Sequence, residues 1–588
     1  MTTRYPQSTF VAAARMERLH ASAGILDEIF ARTQLVEHMP GLVFGLVADG
    51  AIVHSGAFGS RSIEHEDAPT TRTVFRIASM TKSFTAAAVL LLRDEGTLRL
   101  DDPAEEYVPQ LTGLPLPSAD SARPTVRNLL QMNAGWPQDD PWADRQLYLD
   151  DAAIDAITTS GLSYSTPPGT RFEYSNFGYI LLGRVIQAAS GIPAMQFITE
   201  RLLEPLGMQE THWQLQGLAP ARYAPGYRYE DETWRAEEPL PSGGDVAAFA
   251  GLCSTVDDLA RWVAMFLDAW PPRDDAEAYP LCRASVREMQ TSMAPVAPTF
   301  SDKRLDVSAE PSAYAYGFGL QTRDIGNLRL VGHGGGLPGY GTHMLWAPEH
   351  GVGVVALSNV TYGPSGRACL HALQELLRRA DAPRRVVPVS NHLLQVHDAL
   401  NRLLIEWDDQ VAADLFADNF FLDTDAERWR SRFQALREAH GFWRHFTPVV
   451  PQNWLRGEWR AQGERGWCSV WLSMCPTDPP RVQMLRLTGV LPPSETLKMF
   501  ARKCLAYING DGDDEWLSAA SANTNVSRIR RALDFARARG DVFQLGTEVG
   551  GNGSSWAEFE VFAGRLLLSL EIQVDARDRL SSLILSRR

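Results

Sequence analysis

The sequence predicts a mixed α/β (α+β) protein of more than one domain, and three observations carry that expectation. At 588 residues the chain is too long to close around one core, so two to four domains are expected. Within the first 380 residues, unbroken apolar runs read as strands, with apolar residues at helical spacing between them. After a linker at residues 380–388 the character changes, and helical segments followed by strand-like runs occur twice over.

Composition bounds the function classes. Apolar residues make up 45% and charged residues 22% of the chain, as in ordinary soluble globular proteins. A net charge of −15 argues against nucleic acid or an anionic membrane as the main partner, because both require basic patches. No apolar run approaches a membrane span. Residues 1–20 lack the basic region, apolar core and cleavage site of a secretory signal. The six cysteines (Cys253, Cys282, Cys369, Cys468, Cys475 and Cys504) contain no C-x-x-C pair, a pattern that suits a reducing compartment better than a zinc ribbon or a disulfide framework. A cytoplasmic location is expected, unless a leader has been removed.

Taken in order, residues 9–34 read as a helix. Residues 41–47 read as a strand, Asp49-Gly50 as a hairpin turn and residues 51–55 as the return strand. Residues 74–77 lead into a helix opened by Ser79-Met80-Thr81-Lys82 and running to about Glu95. Phe84, Ala87, Ala88, Leu91 and Leu92 recur at helical spacing, and Gly96 stands where a left-handed cap belongs. One turn separates Ser79 from Lys82, so hydroxyl and amine project from one face. The helix N-terminus also turns its positive end toward any developing oxyanion. Ser-x-x-Lys therefore suits a nucleophilic serine with a lysine base. Such a tetrapeptide arises roughly once by chance in a chain this long, so context has to decide.

Residues 125–130 start another helix. The loop at residues 135–145 mixes aromatics with Asp139, Asp140 and Asp144, as a turn-rich connection or a pocket rim does. Tyr174 and Asn176 stand two apart in what reads as extended chain, so both point to one side. A phenol can relay a proton, and an amide can hold an amine or orient a substrate. Residues 177–189 form an apolar helix ended by Gly191. Residues 239–244 read as a linker, 254–259 as a capped helix start, and 271–311 as an excursion of helix and loop. The run Gly332-His333-Gly334-Gly335-Gly336 lies between strands at 328–331 and 342–346, with a third strand at 352–357. Its glycines fit G-x-G-x-x-G by spacing. A strand follows rather than a helix, so no helix N-terminus is available for phosphate. The lipase-like His-Gly-Gly-Gly has no G-x-S-x-G elbow to accompany it.

Ser79-x-x-Lys82, Tyr174-x-Asn176 and His333-x-Gly335, in that order, resemble the motifs of the serine β-lactamase-related hydrolases. That family includes class C β-lactamases, D-alanyl-D-alanine carboxypeptidases, D-aminopeptidases and related esterases. Leu100-Asp101-Asp102-Pro103, residues 125–130, Pro168-Gly169, Tyr174-Ser175-Asn176-Phe177-Gly178-Tyr179 and Leu206-Gly207-Met208 resemble further family landmarks. The resemblance covers residues 10–375. It implies a catalytic domain over residues 1–380, with an antiparallel sheet flanked by helices, an all-helical lobe, and the site between them. It also implies roles. Ser79 is the acylated nucleophile; Lys82, made easier to deprotonate by desolvation and positive neighbours, is its base or the partner of that base. Tyr174 shuttles the proton to the leaving group, Asn176 holds Lys82 and the substrate amide, and the N–H groups of Ser79 and Gly336 form the oxyanion hole. His333 departs from the lysine usual in β-lactamases and carboxypeptidases, and family members with His-x-Gly tend to be D-aminopeptidases and esterases. Asp139, Asp140 and Asp144 are expected as anchors for a substrate ammonium.

Residues 389–493 and 494–588 read as tandem α+β modules of about 95 residues each, helices first and a curled antiparallel sheet after. That order resembles the cystatin-like cone of the nuclear-transport-factor-like superfamily. The modules are expected either to be scaffold or dimerisation surface, or to cover the site. The leading expectation is a metal-independent, cofactor-free serine hydrolase of small amides, peptides or esters, with a D-amino-acid-type peptidase favoured. A carboxylesterase or β-lactamase is the alternative among enzymes, and a penicillin-binding or scaffold protein the alternative outside them. Partners are a small-molecule or short-peptide substrate and a possible second copy of the chain.

Overall fold

Asp49 and Gly50 both take positive φ, 47° and 83°, the conformation a two-residue hairpin turn requires. They join the strands Gly41–Ala48 and Ala51–Gly59, where the sequence places them. The computed structural model describes residues 7–10, 14–65, 67–139, 144–238, 243–299, 312–522, 524–538, 540–564 and 566–587. They divide into two compact units, Ser8–Val386 and Val387–Arg588.

The first unit is built on an eight-stranded sheet. From one edge the strands are Ala51–Gly59, Gly41–Ala48, Val352–Ser358, Tyr340–Ala347, Leu328–Leu337, Gln321–Ile325, Ser312–Tyr316 and Ala294–Thr299. All neighbours pair antiparallel. Successive side chains alternate between faces: Leu42, Phe44 and Leu46 join one core with Leu26, Phe30 and Leu373, while Val43 and Val47 join the other with Phe84, Trp262 and Trp346. Helices cover both faces, which is why Gly41–Ala48 is buried at every position.

The helix after Ser79, Thr81–Asp94, is buried continuously from Thr81 to Leu92. It is a central helix enclosed on all sides, its buried polar residues Thr81, Lys82, Ser83 and Thr85 gathered in the first turns. Gly96 takes φ 78°, as its capping position predicts. Two expectations need correction. Residues 9–34 form no single helix: Thr9–Phe10 pairs with Arg385–Val386, and the helices Arg15–Ser22 and Gly24–Val36 follow. The stretch at 271–311 is not only helix and loop, because Ala294–Thr299 is the edge strand of the sheet.

The second unit holds one open sheet of nine strands. Its main path runs Trp443–Phe446, Arg456–Gly463, Gly466–Met474, Val482–Leu491, Phe543–Asn552, Trp556–Ala563, Leu566–Val574 and Leu580–Arg587, with Val450–Asn453 beside Arg456–Gly463. Its halves meet through a short parallel contact, Val490 and Leu491 opposite Gly551 and Asn552. One apolar cluster gathers around Leu400, Trp459 and Val470, another around Leu497, Leu533 and Phe559. No helix among the described residues is long and apolar enough to cross a membrane.

Candidate active site

The short strand Phe75–Arg76 pairs with Cys253–Ser254, and Ile77 N–H donates to the carbonyl of Leu252 at 3.0 Å. The chain then reverses sharply through Ala78, whose φ of 49° is a strained value for a residue with a Cβ. A 3-10 turn at Ala78–Met80 delivers Ser79 to the head of the central helix. Ser79 is 6% exposed and Lys82 wholly buried. Lys82 Nζ donates to Ser79 Oγ at 2.8 Å and to the carbonyl of Phe249 at 3.2 Å. The ring centres of Tyr174, Phe249 and Tyr179 lie 4.9, 5.0 and 5.8 Å from the same nitrogen.

Ser175 caps the helix Asn176–Ser190 by accepting the N–H of Gly178 at 3.1 Å. Asn176 is therefore the first residue of a helix, not part of an extended pair with Tyr174, and it is fully buried. Asp139 caps the same helix end. Its Oδ1 accepts Asn176 N–H at 2.6 Å and its Oδ2 accepts Phe177 N–H at 2.8 Å. A carboxylate with both oxygens on N–H groups that a helix otherwise leaves orphaned serves the fold. Both oxygens are thus engaged by the fold, and any ammonium-anchoring role for Asp139 is left to proposal. Asp140 lies outside the described residues. Asp144 is buried and accepts the hydroxyl of Tyr362 at 3.3 Å.

The strand Leu328–Leu337 runs straight through its glycines. On one side it pairs with Tyr340–Ala347 as far as Leu337; on the other it pairs with Gln321–Ile325 only as far as Gly332. Among the described residues, the edge from His333 to Leu337 thus has no strand partner, leaving backbone groups there to meet another chain. A Cβ on Gly335 would collide with the carbonyl oxygen of Ile77 and with Thr342 Oγ1. Glycine here is what lets the strand lie directly on the turn that carries Ser79. A Cβ on Gly336 would sit 2.8 Å from the Tyr362 ring.

His333 is buried beneath this edge. Its Nδ1 lies 2.6 Å from the carbonyl oxygen of Gly334 and its Nε2 lies 3.1 Å from Tyr316 Oη. A carbonyl only accepts, so Nδ1 carries the proton and Nε2 accepts from the phenol. Burial, reinforced by the charge of Lys82, pushes the imidazole pKa down to about 3. His333 is thus a neutral internal strut and offers no fixed charge to a substrate. The reading from sequence missed Ala78, Phe249 and Tyr316. Ala78 and Phe249 have no motif, and Tyr316 meets His333 only by a side-chain contact made in the folded sheet.

A family model described as Beta-lactamase matches residues 26–378. The chain belongs to the β-lactamase family. Penicillin-binding protein 4* of Bacillus subtilis (strain 168) is 29% identical over 332 residues, 53% of this chain and 67% of that protein. Protein flp of Staphylococcus aureus (strain MW2) is 27% identical over 339 residues, 57% of this chain and 62% of that protein, so the chain spans less than two thirds of the latter's length. Among solved structures, the octameric penicillin-binding protein homologue from Pyrococcus abyssi is similar in fold. Its TM-score is 0.51 at 19% identity, with 96% of this chain and 98% of that chain covered. Membership of the family implies serine-hydrolase chemistry.

Proposed function

We propose that the protein hydrolyses small amides or esters through an acyl-enzyme on Ser79, and that it needs no free carboxylate on its substrate. The observation that carries this reading is the buried contact of 2.8 Å between Lys82 Nζ and Ser79 Oγ. In its neutral form that amine takes the hydroxyl proton as Oγ attacks the substrate carbonyl. The tetrahedral oxyanion forms between the N–H groups of Ser79 and Gly336. Tyr174, its ring against Lys82, passes the proton to the leaving group as the carbonyl–leaving-group bond breaks. Water then enters by the reverse path and releases the acid.

The neutral strut at His333 favours D-amino-acid-type amides and neutral esters over substrates held by a carboxylate. A D-aminopeptidase remains the favoured peptidase reading, with the amine held by a group other than Asp139. Residues 389–493 and 494–588 are read as tandem modules, and the octameric state named for the Pyrococcus relative makes self-association part of the proposal. Treatment with a fluorophosphonate followed by peptide mass spectrometry tests the nucleophile, with the adduct expected on Ser79. Steady turnover of a D-alanyl anilide or an aryl acetate supports the hydrolase. A burst that stalls points to a penicillin-sensor, and absence of any adduct at Ser79 overturns the proposal.

A further inference from the structure

The Ser79 side of the glycine strand is only one of its two faces. Gly335 lies on Ile77, but a Cβ on its neighbour Gly334 would meet the ring of His343, because alternate residues face opposite ways. On that far face His343 lines a cavity of about 180 Å³. Tyr314, Gln321, Arg323 and Arg367 line it too, and no carboxylate does.

Strand register gathers these groups. Tyr314 stands opposite Arg323, Gln321 opposite Gly332, and His343 opposite Gly334. Gly332 supplies no side chain to the wall. Arg367 sits at the rim, 77% exposed and paired with Glu37 at 3.2 Å. The side chains of Tyr314, Gln321, Arg323 and His343 have no hydrogen bond or ion pair among the described residues. Although Arg287 and Arg385 pair with no carboxylate among the described residues, several other half-buried arginines of this unit do, as Arg184 does with Asp155 and Asp245. That is the ordinary outcome, because removing a guanidinium from water is costly unless an anion meets it.

Three of the four can donate a hydrogen bond into the cavity without rearrangement of their own bonds, and the fourth, an imidazole, can do so in one tautomer. The first turn of the helix Ser365–Arg379 adds its positive end through Gly366 and Arg367. What the wall lacks is a negative charge, since no Asp or Glu lines it. Leu345 and Leu370 make part of the lining apolar, which suits an organic body better than an inorganic ion. The volume exceeds the roughly 150 Å³ that admits benzene.

We propose that this cavity binds a small organic carboxylate, with its oxygens on Arg323, Tyr314 and Gln321 and its short apolar body against Leu345 and Leu370. The planar fork of Arg323 matches a carboxylate in two parallel hydrogen bonds. The site is separate from the Ser79 chemistry and stands whether or not the hydrolase reading does.

The test uses the full-length protein, with sodium butanoate and sodium benzoate as probes in calorimetry and thermal unfolding. Saturable binding and a raised midpoint are expected for at least one of them, with perturbation of the His343 ring resonances. Arg323→Gln is expected to weaken that binding about tenfold or more, and Tyr314→Phe by a smaller factor. The unliganded midpoint of each variant shows that it is folded. The same binding in Ser79→Ala excludes the front site as its location. Absence of saturable binding by both probes, equal binding of butanamide, undiminished binding in both folded variants, or a response to inorganic phosphate alone would each overturn the proposal.

Discussion

The two faces of the glycine strand make opposite use of buried polar groups. On the front, Lys82 donates to Ser79 and to Phe249, His333 is held at both nitrogens, and Asp139 accepts two backbone N–H groups. On the back, an arginine, a phenol, an amide and an imidazole surround a cavity with no carboxylate among them. Polar groups that have already met their partners are preorganised, and act on a substrate without moving. Part-buried polar groups without protein partners are left to water, which a ligand of matching charge can replace. The contrast separates machinery that is complete from a site that is waiting.

The largest effect that sharpens this contrast is at Ser79. Ser79→Ala is expected to lower kcat/KM by about 10³-fold or more, measured on whichever aryl ester or D-alanyl anilide the protein turns over; retention of activity would break the front-face account. Tyr316→Phe removes the donor to His333 Nε2 and frees the imidazole to shift. A fall of about tenfold in kcat is expected, with KM nearly unchanged and a displaced His333 nitrogen resonance. A change confined to KM would show that Tyr316 does not act through the strut.

A smaller effect concerns pH. His333 is held at about 3 when folded, against about 6.5 when unfolded. The depressed value means that the folded state resists protonation. Its contribution to stability is fully present above about pH 6.5 and is lost progressively as the pH falls toward 3. Urea midpoints measured between pH 7 and pH 4 should therefore fall less steeply in His333→Asn than in the parent, and parallel curves would contradict this. The smallest effect is at Asp139. Asp139→Ala is expected to cost about 1 kcal/mol of stability through the lost helix cap, seen as a lower thermal midpoint. KM for amino-bearing and neutral substrates should move together; a selective loss for amines would restore the ammonium anchor.

Much of this was legible in the chain. The hairpin at Asp49-Gly50, the helix start at Thr125 and the strands Gly41–Ala48 and Val352–Ser358 follow patterns of local origin, turn chemistry and apolar period. The strands Ala294–Thr299, Ser312–Tyr316 and Gln321–Ile325 escaped notice for equally physical reasons. Pro295 and Pro298 disguise the first as loop, and the other two are only five residues long, Gln321–Ile325 with polar residues on both faces. Their absence from the reading concealed Tyr316 from the front site, and Tyr314, Gln321 and Arg323 from the back one.

By itself, the order of amino acids determined the chemistry that is possible: a serine one helical turn from a lysine, a phenol near an amide, and a glycine run able to approach another backbone. Those are properties of short stretches, set by helical pitch and by the absence of a Cβ. Only the folded chain decided which partners each group keeps. His333 became a neutral strut, Asp139 a helix cap and Arg323 an unanswered cation, because hydrogen-bond saturation and desolvation depend on neighbours that lie far away along the polypeptide.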